Sequence, residues 1–181
     1  MPSLTLTNSP DYGQNFNRAL HDFIVLITGL DKKNVRPAFQ FEPPKFGDTE
    51  NWCSFSTPKY DSDGNFFERV KEVSSKQIYE SYESRDQEEI SVRVSFYGPE
   101  GKKNSRIFVA GLKRADFWET FYQATGCRMF RVDTIDNAPD MIDGHWISHT
   151  DVACIFRRET VWEYSGISGV SKVAIDYFPS T

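Results

Sequence analysis

Ile90-Ser-Val-Arg-Val-Ser-Phe-Tyr-Gly-Pro99 alternates apolar and polar side chains and then stops abruptly. Successive side chains of an extended chain point to opposite faces, so Ile90, Val92, Val94 and Phe96 share one face and Ser91, Arg93, Ser95 and Tyr97 the other. The stretch predicts a strand with one buried face. Gly98-Pro99 ends it, because proline lacks the ladder donor and glycine breaks strand order. A polar turn from Glu100 to Asn104 leads into a helix over about Asn104 to Lys113, with Ile107, Phe108, Gly111 and Leu112 available for packing.

Upstream, the chain from Phe66 to Tyr97 reads as extended. Ile78, Glu80 and Tyr82 alternate, and the charged run Ser84-Arg-Asp-Gln-Glu-Glu89 predicts a hairpin with an acidic tip. Asn51 to Thr57 predicts a strand closed by Pro58, and Lys59 to Asn65 a polar loop with turn chemistry at Asp63-Gly64. Residues 31 to 50 read as an irregular insertion rich in proline and aromatics, with a short edge strand carrying Phe39 and Phe41 between Pro37 and Pro43. A first helix is expected from about Pro10 to Gly29, capped by Ser9. Phe16, Leu20, Phe23, Ile24 and Ile27 form its core face, with Val25 and Leu26 broadening it.

Downstream, a helix starts near Asp116, with Asp116 and Glu119 as a variant capping box, and ends at Gly126. It carries Phe117, Trp118, Phe121 and Tyr122, with Phe117 and Phe121 assigned to the core and Trp118 and Tyr122 to core or interface. Phe130, Val132 and Thr134 alternate in a strand ending near Asn137-Ala-Pro139. A turn at Asp143-Gly144 follows, then Thr150, Val152, Cys154 and Phe156 along a long strand, facing away from Asp151 and Arg157. A turn over Ser165 to Gly169 and a last strand with Val173, Ile175 and Tyr177 complete the pattern. The order predicts a single α+β domain over residues 1–181, an antiparallel β-sheet with helices packed on one face.

Fifteen Phe, eight Tyr and four Trp in 181 residues are too many for a disordered chain. A net charge of -5 argues against nucleic-acid binding through a broad basic face. Cys53, Cys127 and Cys154 are odd in number and far apart, so they predict buried reduced thiols and neither a disulfide framework nor a zinc ribbon. The N-terminal residues show no signal-peptide pattern, and no apolar run approaches a membrane span, which leads us to expect a cytoplasmic protein without membrane contact.

No catalytic, cofactor-binding or metal-binding residue is expected. His145 and His149 lie four apart in an extended pattern, too far apart for one ion, and read as polar surface or turn histidines. Glu88, Glu89, Asp133 and Asp151 could be gathered as nuclease carboxylates, but no lysine accompanies them on a strand, and they read as solvated charges. Asn137-Ala-Pro-Asp140 reads as a turn. Cys127 has no local base, and the glycines stand singly. Lys102, Lys103 and Arg106, with Lys113-Arg114, form basic clusters that read as a solvated helix face, with contact to DNA or to an acidic hairpin as the alternative.

Phe96-Tyr97-Gly98-Pro99, the helix after it, and Asp143-Gly144-His145-Trp146 leading into Val152 to Phe156 resemble the neck and tail terminator proteins of tailed bacteriophages. The resemblance covers roughly residues 10 to 178. It implies a structural, non-enzymatic virion protein that forms a ring, commonly hexameric, on the end of the tail tube. The implied partners are further copies of the chain, the tail tube protein and the connector or neck proteins. Genome DNA would pass through the lumen without specific binding, and assembly would take place in the host cytoplasm. Glu88, Glu89, Lys102, Lys103, Arg106 and Trp118 are the candidate residues of an oligomer or tube interface. Another head-completion, connector or minor tail protein is an alternative, and a metal-dependent nuclease-like enzyme is the reading from a different class.

Overall fold

The computed structural model describes residues 4–6, 13–40, 46–47, 49–72, 79–142 and 144–167. In chain order the elements are β1 (Leu4–Leu6), α1 (Gln14–Thr28), a short 3-10 turn (Lys32–Asn34), β2 (Val35–Pro37), β3 (Trp52–Glu72), β4 (Tyr79–Tyr97), α2 (Gly101–Gly111), α3 (Ala115–Thr125), β5 (Arg128–Ile142) and β6 (His145–Ile167). The strands form one sheet in the lateral order β2-β3-β4-β6. Beyond β6, β5 and β1 lie along its same far edge, one after the other: β5 pairs with His145 to Arg157 and β1 with Trp162 to Tyr164. All pairings are antiparallel except β2 with β3. The fold is therefore α+β with a mostly antiparallel sheet, as the alternation predicted.

Ile90, Val92, Val94 and Phe96 are all buried. Their cross-strand partners Phe156, Cys154, Val152 and Thr150 are buried too, since residues directly opposite in a ladder share a face. Against this face pack Phe16, Leu20, Phe23, Ile24 and Ile27 of α1, Phe108 of α2 and Phe121 of α3. Aromatic contacts bind the layers: Phe121 stacks on Phe23 at 4.6 Å and meets Phe156 at 5.4 Å, and Phe96 meets Phe108 at 5.7 Å.

The helix ends follow from glycine. Gly29 and Gly126 both adopt φ 70°, closing α1 and α3 with a bond from their own N–H to the carbonyls of Val25 and Tyr122. Gly98, at φ 91°, makes the turn from sheet to helix, and a Cβ there would lie 2.3 Å from the Glu50 carbonyl oxygen. The Gly101 N–H then donates to the Gly98 carbonyl, so α2 begins at Gly101 instead of the expected Asn104.

Several other expectations are corrected. Ser84 to Glu89 is not a hairpin tip. It lies inside β4, flanked on both sides by β3 and β6. Lys59 to Asn65 is not a loop, because β3 continues through Pro58 to Glu72. A register shift between Ser56 and Lys59 accommodates the proline, the usual way a strand tolerates one. The short strand before β3 is Val35–Pro37, parallel to β3, while Phe39 lies outside it with φ 61° and its side chain exposed. Leu26 is exposed and does not extend the core face of α1. Asp116 does not cap α3: Arg114 occupies that position, and Asp116 sits in the first turn paired with Arg114 at 2.7 Å. β5 runs on through Pro139 to Ile142, and β6 continues to Ile167, past the turn expected at Ser165. The predicted cap Ser9, Phe41, Ile78, Asp143 and the last strand with Val173, Ile175 and Tyr177 lie outside the described residues.

Candidate functional site

The apolar core on the helix side of the sheet stops at the level of Ile90 and Phe156. The next helix-side positions are Glu88 and Arg158, directly opposite each other. Arg158 donates from Nε to Glu88 Oε2 at 2.6 Å, with the two side chains only 2% and 11% exposed. Glu89 faces the other side of the sheet. Arg157 donates to its Oε1 from Nε and Nη2 at 2.9 and 2.6 Å, and the same guanidinium lies over the Phe130 ring at 3.5 Å. Both glutamates are thus engaged within the subunit by consecutive arginines of β6.

Lys102, Lys103 and Arg106 are exposed along α2, with Ile107 beside them. Lys103 reaches back to Glu100 at 2.9 Å. Trp118 is half-buried: its Nε1 donates to the Leu112 carbonyl at 3.0 Å, and its ring meets Phe23 and Phe156 at 5.2 and 5.8 Å. The free part of the ring borders a shallow recess between α3 and β5, shared with Tyr122, Arg128 and Met129. Phe117 packs against the core and Phe121 is buried in it, as the sequence placed them.

The suspected carboxylates do not converge. Glu88 and Glu89 point to opposite faces, Asp133 is bound by Arg131 at 2.6 Å, and Asp151 lies 3.2 Å from His149 Nε2. Among the described residues no group of three or more His, Cys, Asp or Glu is placed to hold a metal ion. Among them, too, no helix is long and apolar enough to cross a membrane. The three cysteines are buried free thiols. Burial pushes the Cys127 thiol up to about 11, and raises Cys53 and Cys154 further still, which keeps all three protonated and poor nucleophiles.

The sequence reading missed one feature of the outer face. Trp52, Tyr97 and His149 are directly opposite one another on β3, β4 and β6, and their rings stack across the strands. The Trp52 and Tyr97 rings are 3.9 Å apart and nearly parallel, Tyr97 and His149 are 4.8 Å apart, and Phe46 closes the row on Trp52 at 4.7 Å. His149 is buried in this stack and is not the surface histidine expected of it. The available signal was that Trp52 and Tyr97 each occupy the outward side of a strand at its end.

The tyrosine of the row and the glycine of the sheet-to-helix turn both belong to Phe96-Tyr97-Gly98-Pro99. That segment sits inside a match to the phage neck terminator protein family extending over residues 14–181. The chain belongs to this family. No curated protein sequence matches it. Membership makes it a structural phage protein of the neck or tail of the virion, associated with other head and tail proteins.

Proposed function

We propose that the chain is the subunit of a closed ring that caps the tail tube and joins it to the head connector. The family match over residues 14–181 carries this reading. The sheet is compatible with it. β3, β4 and β6 contain 21, 19 and 23 residues, so at about 3.3 Å per residue β6 has a contour of roughly 75 Å. That length exceeds what covering the helical core requires, and an arm of this kind can reach a neighbour or a tube. The overall charge of -5 suits a lumen through which DNA slides without being held. Residues 1–181 act as one domain in this reading, with the basic face of α2 and the exposed edge of Trp118 at contacts between subunits or with the tube.

Light scattering on purified protein, followed by electron microscopy with tail tubes, tests the proposal. A discrete oligomer, either in solution or seated on tube ends, is expected. A protein that remains monomeric at every concentration and salt level and leaves tube ends bare overturns it. Binding to isolated connectors but not to tubes would transfer the assignment to a head-completion protein.

A further inference from the structure

β5 and β6 run together past Tyr97, the last residue of β4, so His145 to Ser148 pair only with Pro139 to Ile142. β5 is an edge strand there and along the rest of its length: among the described residues no strand pairs with its far side. A long free edge presents a row of unpaired N–H and C=O groups, on which a strand of another chain can pair.

The ladder fixes which backbone groups of β5 point outward. The Ala38 N–H donates to the Phe55 carbonyl at 2.7 Å on the β2 side of β3, so the Phe55 backbone turns away from β4 and those of Ser54 and Ser56 turn towards it. The alternation then carries across the sheet, because the two residues of a hydrogen-bonded antiparallel pair turn towards each other and their chain neighbours turn away. The backbones of Arg93 and Ser95 turn to β3, and those of Val92 and Val94 to β6. On β6, His149 and Asp151 turn to β5, and their partners Ala138 and Asp136 turn back to β6. The Cys154 thiol reaches the Val92 carbonyl at 3.7 Å, as the turn of Val92 towards β6 requires. β5 is regular from Thr134 to Ile142, so the backbone groups of Ile135, Asn137, Pro139 and Met141 point outward. Proline has no N–H. At this exposed position Pro139 removes no bond to β6, whereas an added strand would meet a missing donor and a ring in its path.

The rest of the margin is interrupted as well. Upstream, β5 carries bulges between Met129 and Arg131 and between Val132 and Thr134. The free part of β3, on the opposite margin, is broken between Ser56 and Lys59, where Pro58 lies, and again between Ser62 and Phe66 and between Val70 and Glu72. We propose that Pro139 is an edge guard, which keeps the β5 edge of one subunit from pairing with a strand of a second copy of this chain. The inference goes beyond the ring reading. Copies that joined margin to margin would extend one sheet into an open fibre, whereas a ring requires a contact that closes. Guarded margins leave association to the faces of the subunit.

The test uses full-length Pro139→Val, which restores an outward N–H, and Ala138→Val as the control, which turns towards β6 and adds no outward donor. Light scattering reads self-association at high salt, where repulsion between the aspartates of β5 is screened. Amide exchange by nuclear magnetic resonance reads the edge itself. Pro139→Val is expected to reach a mean particle mass at least about twofold above the parent's at the same concentration, because each edge pairing joins two particles. Its amides at Ile135, Asn137 and Met141 should become protected. In the parent those amides should exchange fast, while Asp136 and Ala138 exchange slowly. Pro139→Val with the mass of the parent overturns the proposal, and so does an equal gain in Ala138→Val. If Pro139→Val fails to fold, exchange in the parent decides: fast exchange at Ile135, Asn137 and Met141 supports the guarded edge, and protection there overturns it. Each comparison is made with the parent, so the ring reading stands or falls separately, on whether the parent itself assembles.

Discussion

Replacing Glu88 by Gln or Lys removes the partner of a guanidinium whose side chain is only 2% exposed, at a contact of 2.6 Å. At an effective dielectric of about 20, two unit charges 4 Å apart interact by roughly 4 kcal/mol, and truncating one member of a buried pair costs about 3–5 kcal/mol because the other charge stays buried. Glu88→Lys also sets the introduced ammonium against the Arg158 guanidinium in the same site, so its cost lies at or above the upper end of that range. Domains of this kind are stable by about 5–15 kcal/mol, so the variant loses a large share of the total. Urea denaturation followed by circular dichroism gives the measurement. With a slope of about 2 kcal/mol per molar, the midpoint of Glu88→Gln should fall by roughly 1.5–2.5 M. Replacing both members with apolar residues, as in Glu88→Leu with Arg158→Met, should restore most of the loss, since a buried pair exchanged for packed apolar groups is often neutral or better. A single variant within about 0.5 kcal/mol of the parent would refute the reasoning. It would mean that water reaches the pair and that Glu88 is a surface charge after all.

Val94 is fully buried between β3 and β6, so Val94→Asp should cost several kcal/mol and leave the subunit unfolded or close to it; an unchanged melting temperature would put the core on the other face of β4. Gly98→Ala combines a positive φ of 91° with a Cβ 2.3 Å from the Glu50 carbonyl, and should lower stability by about 2–4 kcal/mol in the same denaturation experiment; a loss under about 1 kcal/mol would show that the turn relaxes freely. The Cys127 thiol is raised by burial from 9.0 to about 11, so its contribution to stability is complete below pH 9 and is lost as pH climbs towards 11. Cys127→Ala should therefore show a shallower fall in stability than the parent between pH 9 and 11, and identical slopes would contradict the buried, protonated thiol.

The parts of the fold set by local chemistry were readable from the chain. Strict alternation fixed the buried face of residues 90 to 97 and of 150 to 156, and glycines at 29 and 126 fixed two helix ends. What misled was local chemistry overruled by distant partners. Ser84 to Glu89 is charged on both sides because Arg157 and Arg158, far along the chain, satisfy its two glutamates from opposite faces. Pro58 suggested a strand end, and a bulge absorbed it instead. Of the candidate interface residues, Lys102, Lys103 and Arg106 lie on the exposed face of α2 as composition suggested, whereas Glu88 and Glu89 lie inside β4 and are held by Arg158 and Arg157. Projection of residues 139 to 142 and 145 to 148 beyond β4 depends on where neighbouring strands stop, which no window of sequence reports.

The central position of β6 has a consequence for how the subunit comes into being. β6 lies between β4 on one side and both β5 and β1 on the other, yet it is made after all of them. Until it is synthesised, β4 presents one bare edge, and Leu4 to Leu6 have no strand to join. Pairings between such distant segments close slowly, on the order of milliseconds to seconds, and only late in the reaction. A nascent chain consequently cannot close the core until β6 has been made. The finished sheet thus arrives in one late step, when β6 joins β4 to β5 and β1.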